Sequence, residues 1–401
     1  MKLDTPRSTV LYVDTTETFE TAIAALRNND DTLAIDTERA SGFRYSQRAF
    51  LLQIGLSTKE IFLLDPPALD ETVPDWKESV AAEINDKTWL LHAATQDIPC
   101  LNELGLSSPS IIDTELAARI AGFSRVGLGS MVEELLELEL AKEHSASDWS
   151  LRPLSDSLLS YAALDVDVLH DLWSAIKLSI EEQKKSSWVE QEFAALQLFR
   201  PKPVPEEPWR NLPGLSRIKD EAKIKAAAAL WLARDEIARE NDLAPGRLIP
   251  DRSIMAAVEK LPRSKNELAQ NKLFQGRASR NKLGVWWDAI SNSQNLVIKA
   301  VEANPDAIPN HKSWQKRFPE AYIRLSQTRP LMLELAEELS IPVENLLTPE
   351  YLRRVCFAPQ ADVSLQLLNL GARQWQIELA VPVIEAGLAL AQLQVDLLPK
   401  T

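Results

Sequence analysis

Along the first 200 residues, short apolar runs alternate with stretches whose apolar positions recur every three or four residues. TVLYV (9–13), TLAID (32–36), FLLQIGL (50–56), EIFLLD (60–65) and TWLLHA (88–93) read as strands, being short and bounded by polar residues. Helices are expected over Thr18–Arg27, Asp97–Leu104, Asp113–Ala121 and Met131–Leu138. A longer helix is expected from Ser155 to about Lys184, starting after Pro153 with Ser155 as its cap. Strands and helices mixed in this order predict a layered α/β domain over residues 1–199.

Residues 200–208, RPKPVPEEP, hold four prolines in nine positions and read as a stiff linker. Beyond it almost nothing has strand periodicity. Amphipathic helices are expected over Ile218–Glu240, Ser253–Lys260, Lys265–Asn271 and Asn281–Glu302, with APGRLIPD looping between the first two. The looser NPDAIPNHKSW then leads into a last helical block, Phe318 to Leu398. The expected organisation is therefore an α/β domain, a linker, a helical domain over 209–290 and a second over 291–401. No fixed-period repeat is present, although the two helical blocks are similar enough for a diverged duplication to stay open.

At 401 residues, with 45% hydrophobic and 25% charged positions, the chain fits a soluble protein of two or three domains. Its two cysteines, Cys100 and Cys356, lie in apolar stretches and are expected as buried thiols in a reducing cytoplasm. The N-terminal MKLDTPRSTVLYVDT lacks the apolar core of a signal peptide, and no run approaches the roughly 18 apolar residues of a membrane span. Cytoplasmic, with no membrane partner, is the expectation.

Charge changes the picture. A net charge of -14 argues against a polyanionic partner, but between 209 and 290 there are 16 Lys and Arg against 10 Asp and Glu. That segment carries +6 and the remainder -20, the asymmetry of a basic module on an acidic body.

The acidic body holds the candidate chemistry. Asp36 and Glu38 stand two apart at a strand end, so both face the same way, although a solvated strand end explains many such pairs. Asp97 opens a helix after TWLLHA and, taken alone, reads as an N-cap; His92 beside it has no partner at ligand spacing and is given a structural role. Tyr161 and Asp165 share one helical face, where the phenol serves either the site or core packing; Asp167 points elsewhere and is expected to be solvated. Carboxylates without a Cys/His cluster suit a hard cation such as Mg²⁺ or Mn²⁺, and two such ions clamp the attacking and leaving oxygens of a phosphodiester.

In their order and context, IDTE, HAATQD and YAALD resemble the three exonuclease motifs of the DEDD superfamily, in the subgroup with tyrosine in the third motif. Within it the likeness is to the bacterial ribonuclease D family, with Gln53 in LLQIG, IIDTELAARIAG and HSASDWSLRPLS as further shared features. The resemblance covers about residues 10–175 and implies an RNase H-like fold with a mixed central sheet. It implies that Asp36, Glu38 and Asp165 ligate one metal, that Asp36 is shared with a second held by Asp97, and that Tyr161 positions the nucleophilic water. The implied products are nucleoside 5′-monophosphates, released one by one from a 3′ end.

Trp209–Ile290 resembles an HRDC domain, a small helical nucleic-acid-binding module. Arg217, Lys219, Lys223 and Lys225 near the start of its long helix are candidate phosphate contacts, with a solvated helix face as the bland alternative. Trp286 and Trp287 are candidates for base stacking, with core packing favoured for at least one. Residues 310–401 resemble a degenerate HRDC-like block whose acidic, Leu/Ala-rich composition suits buttressing better than RNA binding.

The expected function is metal-dependent 3′→5′ exoribonucleolysis of structured RNA precursors with single-stranded 3′ tails, transfer RNA trailers among them, by a monomer. A 3′→5′ DNA exonuclease is the alternative within enzymes; the absence of a GxxxxGK[ST] motor motif favours the ribonuclease. A non-catalytic RNA-binding scaffold is the alternative outside them, and it would lack an acidic ligand that this chain retains.

Overall fold

The computed structural model describes residues 1–141, 147–274, 276–300 and 306–396. His144–Ala146 of HSASDWSLRPLS, and the expected helix ends at Glu302 and Leu398, lie outside them.

Among the described residues, eight strands form two sheets: β1 (Lys2–Leu3), β2 (Thr9–Val13), β3 (Leu33–Arg39), β4 (Ala49–Gly55), β5 (Glu60–Leu64), β6 (Thr88–Leu91), β7 (Ser110–Asp113) and β8 (Glu139–Leu140). β1 and β8 pair with each other, and the other six form a mixed sheet in the order β2-β5-β4-β3-β6-β7. β3 is antiparallel to β4 and parallel to β6, and β4 and β5 are antiparallel. Because every residue of β4 is buried, that strand reads as one apolar run without alternation. Helices cover both faces, giving the RNase H-like α/β layering expected.

The helix expected from Ser155 to Lys184 is two helices, Asp156–Asp167 and Leu169–Glu182. The break coincides with Asp167, whose carbonyl accepts from Arg7 Nη2 at 3.0 Å. Its carboxylate takes Arg7 N, Arg7 Nε and the Ser8 hydroxyl. Asp167 is therefore buried and paired, not solvated. Ser155 does cap, accepting from Leu158 N at 3.3 Å. Helices Pro66–Thr72, Trp76–Ile84 and Ser186–Gln197, and strand β7, are additions to the expected elements.

Residues 199–207 carry neither helix nor strand, and beyond them the described residues are helical. The long helix is Glu221–Glu240, and the helix expected from Asn281 runs Leu283–Asn292. Trp209, Leu215, Leu230, Phe274 and Trp286 build a separate core around it. Trp286 is fully buried and its indole donates to Ser279 O at 3.0 Å, so it cannot stack on a base; Trp287 is half-buried. The basic module docks on the loop that follows β3. Asp242 Oδ1 accepts from Tyr45 N (3.1 Å) and Ser46 N (2.8 Å), Tyr45 OH donates to Asp235 (3.0 Å), and the Arg247 guanidinium lies 3.9 Å from the Phe43 ring centroid.

The C-terminal helices share a continuous core with the α/β unit. Trp375 stacks on Trp188 with centroids 5.1 Å apart, and its indole donates to Glu192 at 3.0 Å. Buried Lys185 donates to both Ile120 O (2.9 Å) and Leu339 O (2.8 Å). These contacts fit the expected buttress. Helix Gln374–Val395 is long and apolar enough to cross a membrane by length and composition; here Trp375, Ile377, Ala380, Ile384 and Ala391 face the core. Cys100 and Cys356 are buried free thiols.

Candidate active site

β3 presents Asp36 and Glu38 on one face, as period two requires. The Asp156–Asp167 helix lies across β3, β4 and β5 and brings Asp165 to the same place. Its close approach depends on Gly55, where an added Cβ would meet Val166 Cβ at 3.3 Å. Carboxylate oxygens of Asp36, Glu38 and Asp165 thus lie within 4.8 Å of one another. Tyr161, one turn before Asp165, hydrogen-bonds to its carboxylate, and the phenol ring packs 6.2 Å from Trp149.

Asp97 stands at the N-cap of helix Ile98–Glu103 without capping it. Its Oδ1 accepts instead from the buried Thr37 hydroxyl at 2.6 Å. Cys100 closes the arrangement from below, with Sγ 3.1 Å from Thr37 Oγ1 and 3.1 Å from Asp97 O. The loop before Asp97 is pinned by Asp113, which accepts from Ala93 N (3.0 Å) and Ala94 N (2.9 Å). Asp36, Thr37, Glu38, Asp97, Tyr161 and Asp165 line one cleft of about 300 Å³ together with Arg39, His92, Ala93, Gln96, Leu128 and Leu169.

Crowding shifts the acids upward. Burial is the first cause throughout, raising Glu38 to about 9, Asp165 to about 7 and Asp97 to about 6. Asp36 is raised well above the carboxylate range by burial and then by Asp97, Asp165 and Glu38. The Tyr161 and Thr37 hydroxyls oppose the rise at Asp165 and Asp97. Anions gathered against both desolvation and mutual repulsion need a compensating charge, and an all-oxygen donor set suits a hard divalent cation.

The remaining expected contacts are placed differently. Gln53 is fully buried, its amide 3.4 Å from Asp36 Oδ2, so it supports a carboxylate and cannot touch nucleic acid. Arg217 and Lys219 are exposed. Lys223 donates to Glu259 O at 2.7 Å, and Lys225 pairs with Glu221 at 3.2 Å, so both are engaged within their own module. None of these four lines the cleft.

His92 keeps its structural role, with Nδ1 2.8 Å from Thr114 Oγ1 and burial lowering it to about 4. Sequence reasoning passed over Thr37, Arg39 and the pair of buried Asp65 with Arg152. Arg152 fixes the approach to the Tyr161 helix through Nη2 to Asp65 (2.8 Å) and to Phe50 O (2.7 Å). The only local signal for Thr37 was its place inside IDTE, and Arg152 had none beyond lying in the quoted DWSLRPLS.

Residues 10–181 match the family model of a 3′–5′ exonuclease, and residues 224–285 that of the HRDC domain. The C-terminal block matches, over 307–388, a model described as a 3′ to 5′ exonuclease C-terminal domain. Ribonuclease D of Bartonella henselae is 30% identical over 312 residues, covering 75% of this chain and 72% of the relative. Ribonuclease D of Gluconacetobacter diazotrophicus is 25% identical over 363 residues, 88% of each chain. Among solved structures, a protein from Bifidobacterium adolescentis superposes with a TM-score of 0.87 at 32% identity, over 97% of this chain and 99% of that one. Escherichia coli RNase D shares the fold at a TM-score of 0.68 and 23% identity, over 95% and 99%. With the acidic cleft, the mixed sheet and the basic helical module on one chain, these likenesses converge: the chain belongs to the ribonuclease D family of 3′→5′ exoribonucleases.

Proposed function

We propose that Asp36, Glu38, Asp97 and Asp165 hold two divalent cations, Mg²⁺ or Mn²⁺, and that the cleft removes nucleotides from the single-stranded 3′ tails of structured RNA precursors. The observation that supports this most is the convergence of three carboxylates from two separate elements within 4.8 Å, with Tyr161 hydrogen-bonded to one of them. Bound cations would supply Lewis-acid stabilisation of the attacking and leaving oxygens. The chain's own part is geometry. Tyr161 orients a water for in-line attack on the terminal phosphorus, the P–O3′ bond breaks, and a nucleoside 5′-monophosphate leaves behind a new 3′-hydroxyl. Gln53 steadies Asp36, and Thr37 steadies Asp97.

The substrate class follows from the basic module docked beside β3 and from the likeness to an exoribonuclease involved in structured RNA processing. Transfer RNA trailers are the expected members, trimmed by a monomer in the cytoplasm. The test is a 5′-labelled RNA with a single-stranded 3′ tail, incubated with Mn²⁺ and separately with EDTA. A metal-dependent ladder shortening from the 3′ end supports the reading, and an intact band from folded protein refutes it. Asp36→Asn should abolish the ladder while RNA binding persists; retained activity would refute the metal assignment. A matched DNA oligonucleotide distinguishes the sugar preference.

A further inference from the structure

The cleft that must receive a polyanion is lined by four carboxylates and, among the described residues, one cationic side chain, Arg39. His92 does not add charge at neutral pH, since burial lowers it to about 4. Arg39 follows Glu38 directly. There β3 and β4 lose register: Glu38 pairs with Leu51, but Arg39 pairs with Ala49. The extra residue, Phe50, lies in β4, the local twist increases there, and Arg39 lines the cleft. Arg39 stands at the last position of β3, before the chain leaves for the loop on which the basic module docks.

A guanidinium beside carboxylates ordinarily closes a bidentate pair with one of them. Arg39 does not. Among the described residues its guanidinium makes no hydrogen bond and no ion pair, although its charge acts on both Glu38 and Asp97. Asp97 has already committed Oδ1 to Thr37, and the other three acids gather on one another. Arg39 is half-buried, so its stem is held while its five donors are left for an anion from outside.

We infer that Arg39 is an RNA-binding residue that grips the non-bridging oxygens of the phosphodiester next to the scissile one. The inference rests on the reading of Asp36, Glu38 and Asp165 as the hydrolytic cluster. The scissile phosphate belongs at those acids, and Arg39 lies one residue further along β3, towards the loop side from which the RNA body would enter. Its contribution is then to holding the 3′ tail in register, and it counts only when a second phosphodiester is present.

The experiment compares wild type, Arg39→Ala and Arg39→Lys with Mn²⁺ on an RNA dinucleotide, a trinucleotide and a longer tail, over a series of KCl concentrations. With free 5′- and 3′-hydroxyls, the dinucleotide carries only the scissile phosphate. A charge-assisted contact predicts that the preference for trinucleotide over dinucleotide falls about tenfold or more in Arg39→Ala, through KM rather than kcat. The slope of log affinity against log salt for the longer tail should flatten by about 0.7. Arg39→Lys should restore the salt slope and part of the preference, because it keeps the charge but not the fork. Equal losses on dinucleotide and trinucleotide would overturn the assignment, as would an unchanged salt slope. Failure of the wild type to hydrolyse any of the three would strike the hydrolytic reading itself, which keeps the two outcomes distinct.

Discussion

The Thr37→Val variant tests the proposal that Asp97 holds a second cation in the cleft. Thr37 is 5% exposed, and its hydroxyl donates to Asp97 Oδ1 at 2.6 Å, with Cys100 Sγ closing the ring at 3.1 Å. Valine has nearly the same shape, so packing is kept and the hydrogen bond is lost. A hydrogen bond to a charged acceptor contributes about 1.5–3 kcal/mol. At about 1.4 kcal/mol per factor of ten, the bond corresponds to roughly a 10- to 100-fold change in an equilibrium constant. Outer partners of metal ligands change affinity over the same range, about 10–100-fold.

The loss should fall on one ion only. The Thr37 hydroxyl reaches Asp97 and none of the three acids that cluster, and the Thr37 N–H that serves Asp36 is kept in the variant, so the site formed by Asp36, Glu38 and Asp165 should keep its affinity. Calorimetric titration of metal-free protein with Mn²⁺ should then show one class of site weakened and the other unchanged. Exonuclease activity should need a correspondingly higher Mn²⁺ concentration for half-maximal rate and recover most of kcat at saturation. Thr37→Ser, which keeps the hydroxyl, should titrate like the wild type. A wild-type isotherm from Thr37→Val would refute the reasoning, and so would equal weakening of both sites.

The raised acids predict an unusual pH profile for the metal-free protein. Stability from a carboxyl whose folded pKa is raised is full below its ordinary value and is lost as pH rises through the folded one. The window here runs from about 4 through the values near 6, 7 and 9 at Asp97, Asp165 and Glu38. The Tm in EDTA should fall between pH 5 and 9 while stabilisation by Mn²⁺ grows, and a flat difference would contradict the shifts. Arg152→Ala leaves Asp65, with 1% of its side chain exposed, facing Tyr12 and Ala68 N without its cation. Arg152 is itself partly exposed, so losing its hydrogen bonds to the buried carboxylate should cost about 1.5–3 kcal/mol and lower the midpoint of urea denaturation; an unchanged midpoint would mean that Asp65 does not depend on Arg152 in solution. Asp242→Ala removes the acceptor of Tyr45 N and Ser46 N. It should loosen the basic module, raising protease cleavage near residues 200–208 while short oligonucleotides are still hydrolysed; an unchanged digestion pattern would show that the docking does not depend on Asp242.

The strands were legible where burial on both faces leaves an uninterrupted apolar run, as in FLLQIGL and TWLLHA. β7 was not. It is four residues, SIID, and ends in Asp113, whose capping of the next helix dominates the local pattern. The false single helix over Ser155–Lys184 has the same kind of cause. Nothing local marks Val168 as a break, because Arg7, 160 residues away, supplies the groups that bind Asp167. Asp36, Glu38, Asp97, Tyr161 and Asp165 could be picked out because a resemblance spanned all three motifs. Their supports could not be, since Thr37 meets Asp97 across 60 residues and Arg152 meets Asp65 across 87.

The two DTE tripeptides of this chain make the limit concrete. Asp36-Thr37-Glu38 and Asp113-Thr114-Glu115 each stand at the C-terminal end of a parallel strand pair, β3 beside β6 and β7 beside β6. Local sequence gives both the same description. Asp113 is surrounded by donors, accepting from the backbone N–H of Ala93, Ala94, Glu115 and Leu116. Asp36 has the Thr37 N–H, one long contact from Gln53 and three carboxylates for neighbours. A buried acid with its donors in place has no need of a cation, whereas one set among other acids does. The same division runs through the rest of the unit. Asp65, Asp113 and Asp167 spend their charge on Arg152, on backbone N–H groups and on Arg7, and so pin the approach to the Tyr161 helix, the loop before Asp97 and the end of the Asp165 helix. Satisfied acids hold the frame rigid, and that rigidity is what keeps the unsatisfied ones within reach of one another against their own repulsion.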